Sequence, residues 1–375
     1  MEKLYLAKGQ FPPNFFDGTA TRILHLQRAD GAIPWFDGGV VDPWNHVEAA
    51  MGLSILGHWD AAIKAYDWLV DNQLADGSWW GELGASVPID LEKATFDGDA
   101  PAGEPPVRDS NFCAYIAVGV WHHYLVTGDR DFLVRMWPAV SAAMGFVLSL
   151  QSEHGEIRWA AWDSRDADDA LITGCSSIYK SLECAIHIAR ELHEPYGEWA
   201  LARARLGDAL RHKPHRFDRT WESKERYSMD WYYPVLSGAL RDDAAFSRLS
   251  GKWNIFVETG HGCRCVSDEP WITVAETCEL VLTLLTSGQP VRAMELFSWV
   301  HKYRHDSGAY WMGYQIVENV PWPEEMPAWT AGAVLLAADA LCSVTPASRL
   351  FIDVLDEDAA QQSKRFYHRQ FFKQS

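Results

Sequence analysis

Apolar residues recur at three- and four-residue spacing along most of this chain, and the caps and breakers around them predict about twelve helices. They lie near 17–29, 43–57, 59–74, 109–127, 130–151, 174–193, 195–212, 230–240, 242–257, 270–287, 290–304 and 325–343. No convincing alternation of the strand type interrupts them. Connections alternate in length: tight ones at 57–59, "TGDRD" (127–131) and "SGQP" (287–290), and long ones rich in Gly, Trp and Asp between. Such alternation describes α-hairpins closed into a ring. The predicted fold is all-α, a single (α/α)6 barrel with the ring over 17–345 and a peripheral tail over 346–375. Every second helix should be inner, and all long loops should emerge on one face. The stretches "VEAAMGLSILG" (47–57), "SSIYKSLECAIHIA" (176–189) and "AWTAGAVLLAADAL" (328–341) are apolar nearly all round with small residues, as inner helices should be. By contrast, "DAAIKAYDWLVDNQ" (60–73) and "EWALARARLGDALRHK" (198–213) carry one charged face.

A weak repeat supports the ring. "QRADG" (27–31), "QLADG" (73–77) and "QSEHG" (151–155) share Q-x-x-x-G at the ends of outer helices, with Trp two or four residues later. "HDSGAYW" (305–311) is a cognate. Recurrence at successive outer helices marks repeated supersecondary units. The Gly is expected to end the helix, and the Trp to enter the cleft. The Pro/Gly/Asp-rich stretch 85–106 reads as a long loop over the mouth, a candidate lid.

Composition sharpens the picture in two ways. Many of the 19 Trp lie beside Gly, Pro or Asp, where flat indole faces suit stacking on sugar rings or isoprenoid chains, and about half are expected to be core residues. The net charge of −18 argues against nucleic acid and anionic membrane as partners. No apolar run of the roughly 18–20 residues of a membrane span is read, nor a signal peptide. The seven cysteines are read as free thiols of a cytoplasmic protein. No cofactor motif is present: no Walker A, no G-x-G-x-x-G after a strand, no G-x-S-x-G. "HGCRC" (261–265) with Asp268 has no standard zinc spacing, so no metal is expected.

Two families are suggested by particular stretches. "QLADGSWW" (73–80) resembles the QW motif of squalene–hopene-type triterpene cyclases, and Asp166-Ala167-Asp168-Asp169 resembles their D-x-D-D acid motif. That resemblance implies a class II terpene-cyclase or prenyltransferase-like toroid, kept as the alternative function. The stretch 108–159, with its "TGD" and Trp-Pro, resembles six-hairpin glycosidases instead. "GAIPWFDGGVVDPWNHVEAAM" (31–51) is similar to actinobacterial proteins often labelled prenyltransferase, among them the hydrolase that cuts methylmannose polysaccharides. This likeness runs over most of 17–345. It implies a glycoside hydrolase acting on an α-linked oligo- or polysaccharide. Against the cyclase stand the single ring, the many acids near the mouth, and Arg165 inside the acidic cluster; the D-x-D-D stretch is read as lining or capping a cleft.

Glycosidic cleavage wants two carboxyl groups across the scissile bond. Asp42 of "VDPWNH" precedes Pro43 at a helix start and should sit at the mouth as an N-cap. Glu269 of "SDEPWIT" precedes Pro270 at another inner-helix start. Asp42 and Glu269 are the expected acid/base pair, in either order, with inversion the expected outcome; Asp268 and Glu276 are the rivals of Glu269. Expected substrate contacts are Trp35, Trp44, Asp109, Trp162, Asp163, Asp230, Trp231, Asp268, Trp271 and Trp311. The sugar, the linkage and the oligomeric state are left open.

Overall fold

The computed structural model describes residues 12–83, 107–161 and 168–355. The expected lid over 85–106, the candidate contacts Trp162 and Asp163, the D-x-D-D member Asp166 and the end of the tail lie outside them. The helices in chain order are α1 (Asp17–Leu26), α2 (Pro43–Ile55), α3 (Trp59–Asp71), α4 (Ser110–Ala114), α5 (Ile116–Thr127), α6 (Arg130–Ser149), α7 (Ile172–Leu192), α8 (Gly197–His212), α9 (Ser228–Leu236), α10 (Asp242–Phe256), α11 (Val274–Thr286), α12 (Pro290–Val300) and α13 (Ala328–Cys342). Taking α4 and α5 as one helix broken at Tyr115, six inner helices alternate with six outer ones. The inner set, α2, α4–α5, α7, α9, α11 and α13, packs neighbour on neighbour and closes where α13 meets α2. Long connections run from outer to inner helices, so the N-terminal ends of the inner helices form the mouth.

The inner helices follow their sequences. In α2 and α13 nearly every residue is buried. Closeness depends on small residues: a Cβ on Gly332 of α13 would meet the Glu48 carbonyl of α2 at 2.6 Å. The α6 helix has the length and apolarity of a membrane span, which the sequence reading did not anticipate. It is packed as an outer helix, with Phe132, Leu133, Met136, Val140 and Val147 turned into the core.

The Q-x-x-x-G repeat proves to be a clamp between consecutive outer helices. Gln27 Nε2 donates to the carbonyls of Gly31, in its own turn, and Ala61, on α3. Gln73 does the same to Gly77 and to Ala139 of α6. Gln151 does the same to Gly155 and to Ala202 of α8. Each glycine has positive φ and lies against the next outer helix, where a Cβ would meet the carbonyl oxygen of Lys64 or Ala142 at 2.2 Å, or of Arg205 at 2.4 Å. At the fourth copy, after α12, Gly308 (φ +91°) approaches Gly18, and Thr19 Oγ1 donates to its carbonyl at 2.8 Å. That contact joins the last outer helix to the first.

The floor is crossed by the segment after α13. Lys180 Nζ, buried on α7, donates to the carbonyls of Leu350 and Asp353 and pairs with Glu183 at 2.7 Å. Arg203 of α8 holds the other Glu183 oxygen at 2.5 Å and lies over the Tyr179 ring. Burial pushes the Glu183 carboxyl up, but Lys180 and Arg203 together bring it below its ordinary value.

The expectation of no strands is corrected. β1 (Arg108–Asp109) pairs with β2 (Ala160–Ala161). A five-stranded antiparallel sheet runs in order β3 (Val257–Glu258), β4 (Gly262–Arg264), β5 (Trp271–Thr273), β6 (Gly313–Gln315), β7 (Val320–Pro321). Strands of two or three residues are too short for alternation to register. The inner helix expected from Pro270 therefore begins at Val274, because Trp271, Ile272 and Thr273 pair with Gln315, Tyr314 and Gly313 instead.

Candidate active site at the ring mouth

Asp42 caps α2 as the D-P step requires, accepting from the Asn45 N–H at 2.9 Å. Its other oxygen accepts from Asn45 Nδ2 at 2.6 Å and from the Trp35 indole N–H. The side chain is fully buried, and burial raises its carboxyl above the ordinary range against these donors. Asp109 repeats the arrangement on the next inner helix. It caps α4 through the N–H groups of Asn111 and Phe112, and the Trp159 indole donates to it. Burial pushes it up to about 6, and the charge of Asp42 adds to the effect. Trp35 and Trp159 each lie four residues beyond a clamp glycine, so the repeat delivers an indole donor to each acid.

Trp44 stacks on Tyr115 with ring centroids 4.7 Å apart, and its buried N–H has no hydrogen-bond partner among the described residues. It opens a narrow cavity down the ring axis, where Glu48 and Glu279 lie below the mouth. Glu279 accepts from Tyr233 at 2.6 Å and from Tyr232, while among the described residues Glu48 takes only a long contact of 3.3 Å from Tyr115. Burial, and then the neighbouring Glu279, raises Glu48 well above its ordinary value; burial pushes Glu279 up to about 8 against its two phenol donors. Neither glutamate was singled out by the sequence.

A stability consequence follows. Glu279 binds a proton more tightly in the folded chain, so its contribution is complete below its unfolded value of about 4.5 and is lost as pH rises through about 8. Buried His46 and His122, lowered by burial, act oppositely, and their effect is complete near their unfolded value of about 6.5. The melting temperature should therefore fall between about pH 7 and pH 9, and Glu279→Gln should flatten that slope. A slope identical in the variant counts against this protonation of the pair.

The remaining sequence-derived residues are spread more widely. Glu269 is exposed in the turn between β4 and β5, not at a helix start. Glu276, placed two turns into its helix by the sequence reading, now stands in the first turn of α11, half-buried. Glu258 on β3 faces Arg264 at 2.6 Å and was not considered. Asp268 is exposed and pairs with Arg226. Asp230 is buried in the first turn of α9, 3.8 Å from Arg248, and burial pushes it up to about 6. Trp231 is a core residue stacked on Phe256, with its N–H on the Arg248 carbonyl. Trp271 and Trp322 meet edge to face at 5.0 Å on the rim sheet. Trp311 is half-buried against His305.

Of the D-x-D-D stretch, Asp169 is buried and tied by Thr220, while Asp168 is exposed beside Arg219. These partners give Asp169 a structural role, while the Asp168 pair is a surface contact. In the "HGCRC" stretch, His261 bonds the Tyr303 hydroxyl at 3.0 Å and Cys263 is buried on β4.

No protein-family model matches the chain. A Mycolicibacterium hassiacum protein, "MMP endo-(1,4)-3-O-methyl-alpha-D-mannosidase", is 46% identical over 343 residues, covering 92% of this chain and 90% of its own. Among solved structures, a glycosidase variant superposes with a TM-score of 0.66 at 14% identity, over 88% of this chain and 96% of its own. The GH63 mannosylglycerate hydrolase from Thermus thermophilus, with Tris and D-glycerate, gives 0.64 at 12% identity, over 86% and 99%. At such identities these two speak for the fold alone.

Proposed function

We propose an activity on one premise: this chain belongs to the same family of (α/α)6 glycoside hydrolases as the mycolicibacterial mannosidase. The proposed substrate is an α-(1,4)-linked mannan carrying 3-O-methyl groups, cut at internal linkages. The likeness over 92% of the chain carries this reading.

Asp42 is the proposed proton donor. A carboxyl that burial holds toward its protonated form suits that task, and Trp44 two residues on lines the cavity beside it. Its partner is sought on the stretch from β3 through the first turn of α11. Glu269 is the residue the sequence favours. Glu276 joins it because the late start of α11 puts that side chain at the mouth, and Glu258 because Arg264 fixes it on the rim sheet. The two carboxyl groups are proposed to act by inversion, a water attacking from the face opposite the acid.

The test is incubation of the protein with methylated and unmethylated α-(1,4)-mannooligosaccharides, reading new reducing ends and product masses. Release of internal fragments supports the reading; intact substrates at high enzyme concentration overturn it. The anomer first formed, followed by NMR, decides inversion.

A further inference from the structure

Large apolar side chains are exposed singly on the outer helices, as on most proteins, but three fall within six residues of one rim hairpin. Val317 is 71% exposed, Val320 43% and Trp322 39%, all on or beside β6 and β7. The hairpin turn is braced by its own polar groups. Tyr314 donates to Asn319 Oδ1 at 2.7 Å, the Glu318 N–H to Gln315 Oε1 at 2.8 Å, and the Asn319 N–H to the Gln315 carbonyl at 2.9 Å. Val317 is thus presented by a braced turn. The Trp271 indole donates to the Trp322 carbonyl at 2.6 Å, and the two rings meet nearly perpendicular at the base of β7.

The hairpin is continuous with the mouth. From Trp322 the chain returns through Glu325, whose carbonyl accepts from Met312, to Ala328, whose N–H donates to the Trp35 carbonyl. Trp35 is the residue whose indole bonds Asp42. The strand that leaves the hairpin is thus tied by its main chain to the residue that holds the candidate acid.

We propose that Val317, Val320 and Trp322 form a specificity subsite that takes the O-methyl groups of the glycan chain as it leaves the catalytic mouth. The proposal rests on the reading of the substrate as a methylated mannan. An unsubstituted mannan offers hydroxyls here, which lose water without gaining a partner against valine. A methyl ether offers apolar surface, and each methyl removed from water is expected to favour binding about fourfold. Two or three such contacts make a preference of one to two orders of magnitude, read in KM more than in kcat because the contacts lie away from the reacting bond.

The test compares kcat/KM for two α-(1,4)-mannooligosaccharides of equal length, one 3-O-methylated and one not, with wild type and with a Val317→Ser/Val320→Thr variant. The wild type should prefer the methylated chain, and the variant should lose about tenfold of that preference. A Val291→Ser control on α12, where Val291 is 81% exposed, should leave the ratio alone. An unchanged ratio in the double variant overturns the subsite. If the wild type cleaves neither chain, the hydrolase reading fails. Calorimetric binding of the two chains then still decides the hairpin, equal affinities overturning it. Sedimentation is run alongside: a dimer lost in the double variant with the ratio unmoved would assign the hairpin to self-association instead.

Discussion

Asp42→Asn should lower kcat/KM on the methylated mannan about a thousandfold, within the range that general acids contribute, with a modest fall in melting temperature from the buried donors it leaves unpaired. Asparagine is as good an N-cap as aspartate, so α2 should still begin at Pro43 with the one remaining oxygen on the Asn45 N–H, while the new amide NH2 faces the Trp35 indole and Asn45 Nδ2 and those two bonds are lost. What the substitution removes is the proton. The companion variants Glu269→Gln, Glu276→Gln and Glu258→Gln, assayed together, should show one loss of comparable size and two small ones. The large loss names the base. Activity within tenfold of wild type for Asp42→Asn would send the search to Asp109, the neighbouring capped acid with its own indole donor.

Gly77→Ala should destabilise the ring by about 3 kcal/mol or more, enough to prevent recovery of folded protein at elevated temperature. Two costs add. The residue sits at φ +90°, and the new Cβ would lie 2.2 Å from the Ala142 carbonyl oxygen of α6. Gly128→Ala separates them, since Gly128 has φ +69° and nothing within 4 Å of the added carbon. That variant should cost only about 1 kcal/mol. Equal melting temperatures for the two variants would show that α6 yields and that the close approach is not what holds the hoop.

The ring itself was legible because its signals are long and local. Apolar periodicity, tight turns at Gly57 and Gly128, and the Q-x-x-x-G copies all lie within single helices or their ends. The clamp partners were not legible: Gln73 reaches Ala139, a residue no local pattern connects to it. The rim sheet was missed for a related reason, since Trp271 pairs with Gln315 across 44 residues and each strand is two or three residues long. This omission displaced the inner-helix start from Val274 to Pro270 and so moved Glu269 and Glu276 relative to the mouth. Asp42 was found because a D-P step is a chemical signal for a helix start. Glu48 and Glu279 were passed over as parts of apolar helices. A useful signal was present all the same: each acid falls on the buried face of an apolar inner helix, a position that has to find donors or hold a proton. Trp231 shows the converse error. Its neighbours in sequence look like cleft residues, yet the ring turns that side chain outward against α10.

The contact between Thr19 and Gly308 has a kinetic meaning. It spans 289 residues, whereas the three glutamine clamps to the next outer helix span 34, 66 and 51. Loop-closure entropy must be met before such a distant contact gives anything back. Hairpins with their glutamines can assemble from any point along the chain, but the seam waits until every one is in place. Closure should therefore belong to the late side of the folding barrier. Removing the Thr19 hydroxyl would hasten unfolding and leave the refolding rate nearly untouched, so that the place where the circle meets itself governs how long the folded enzyme lasts.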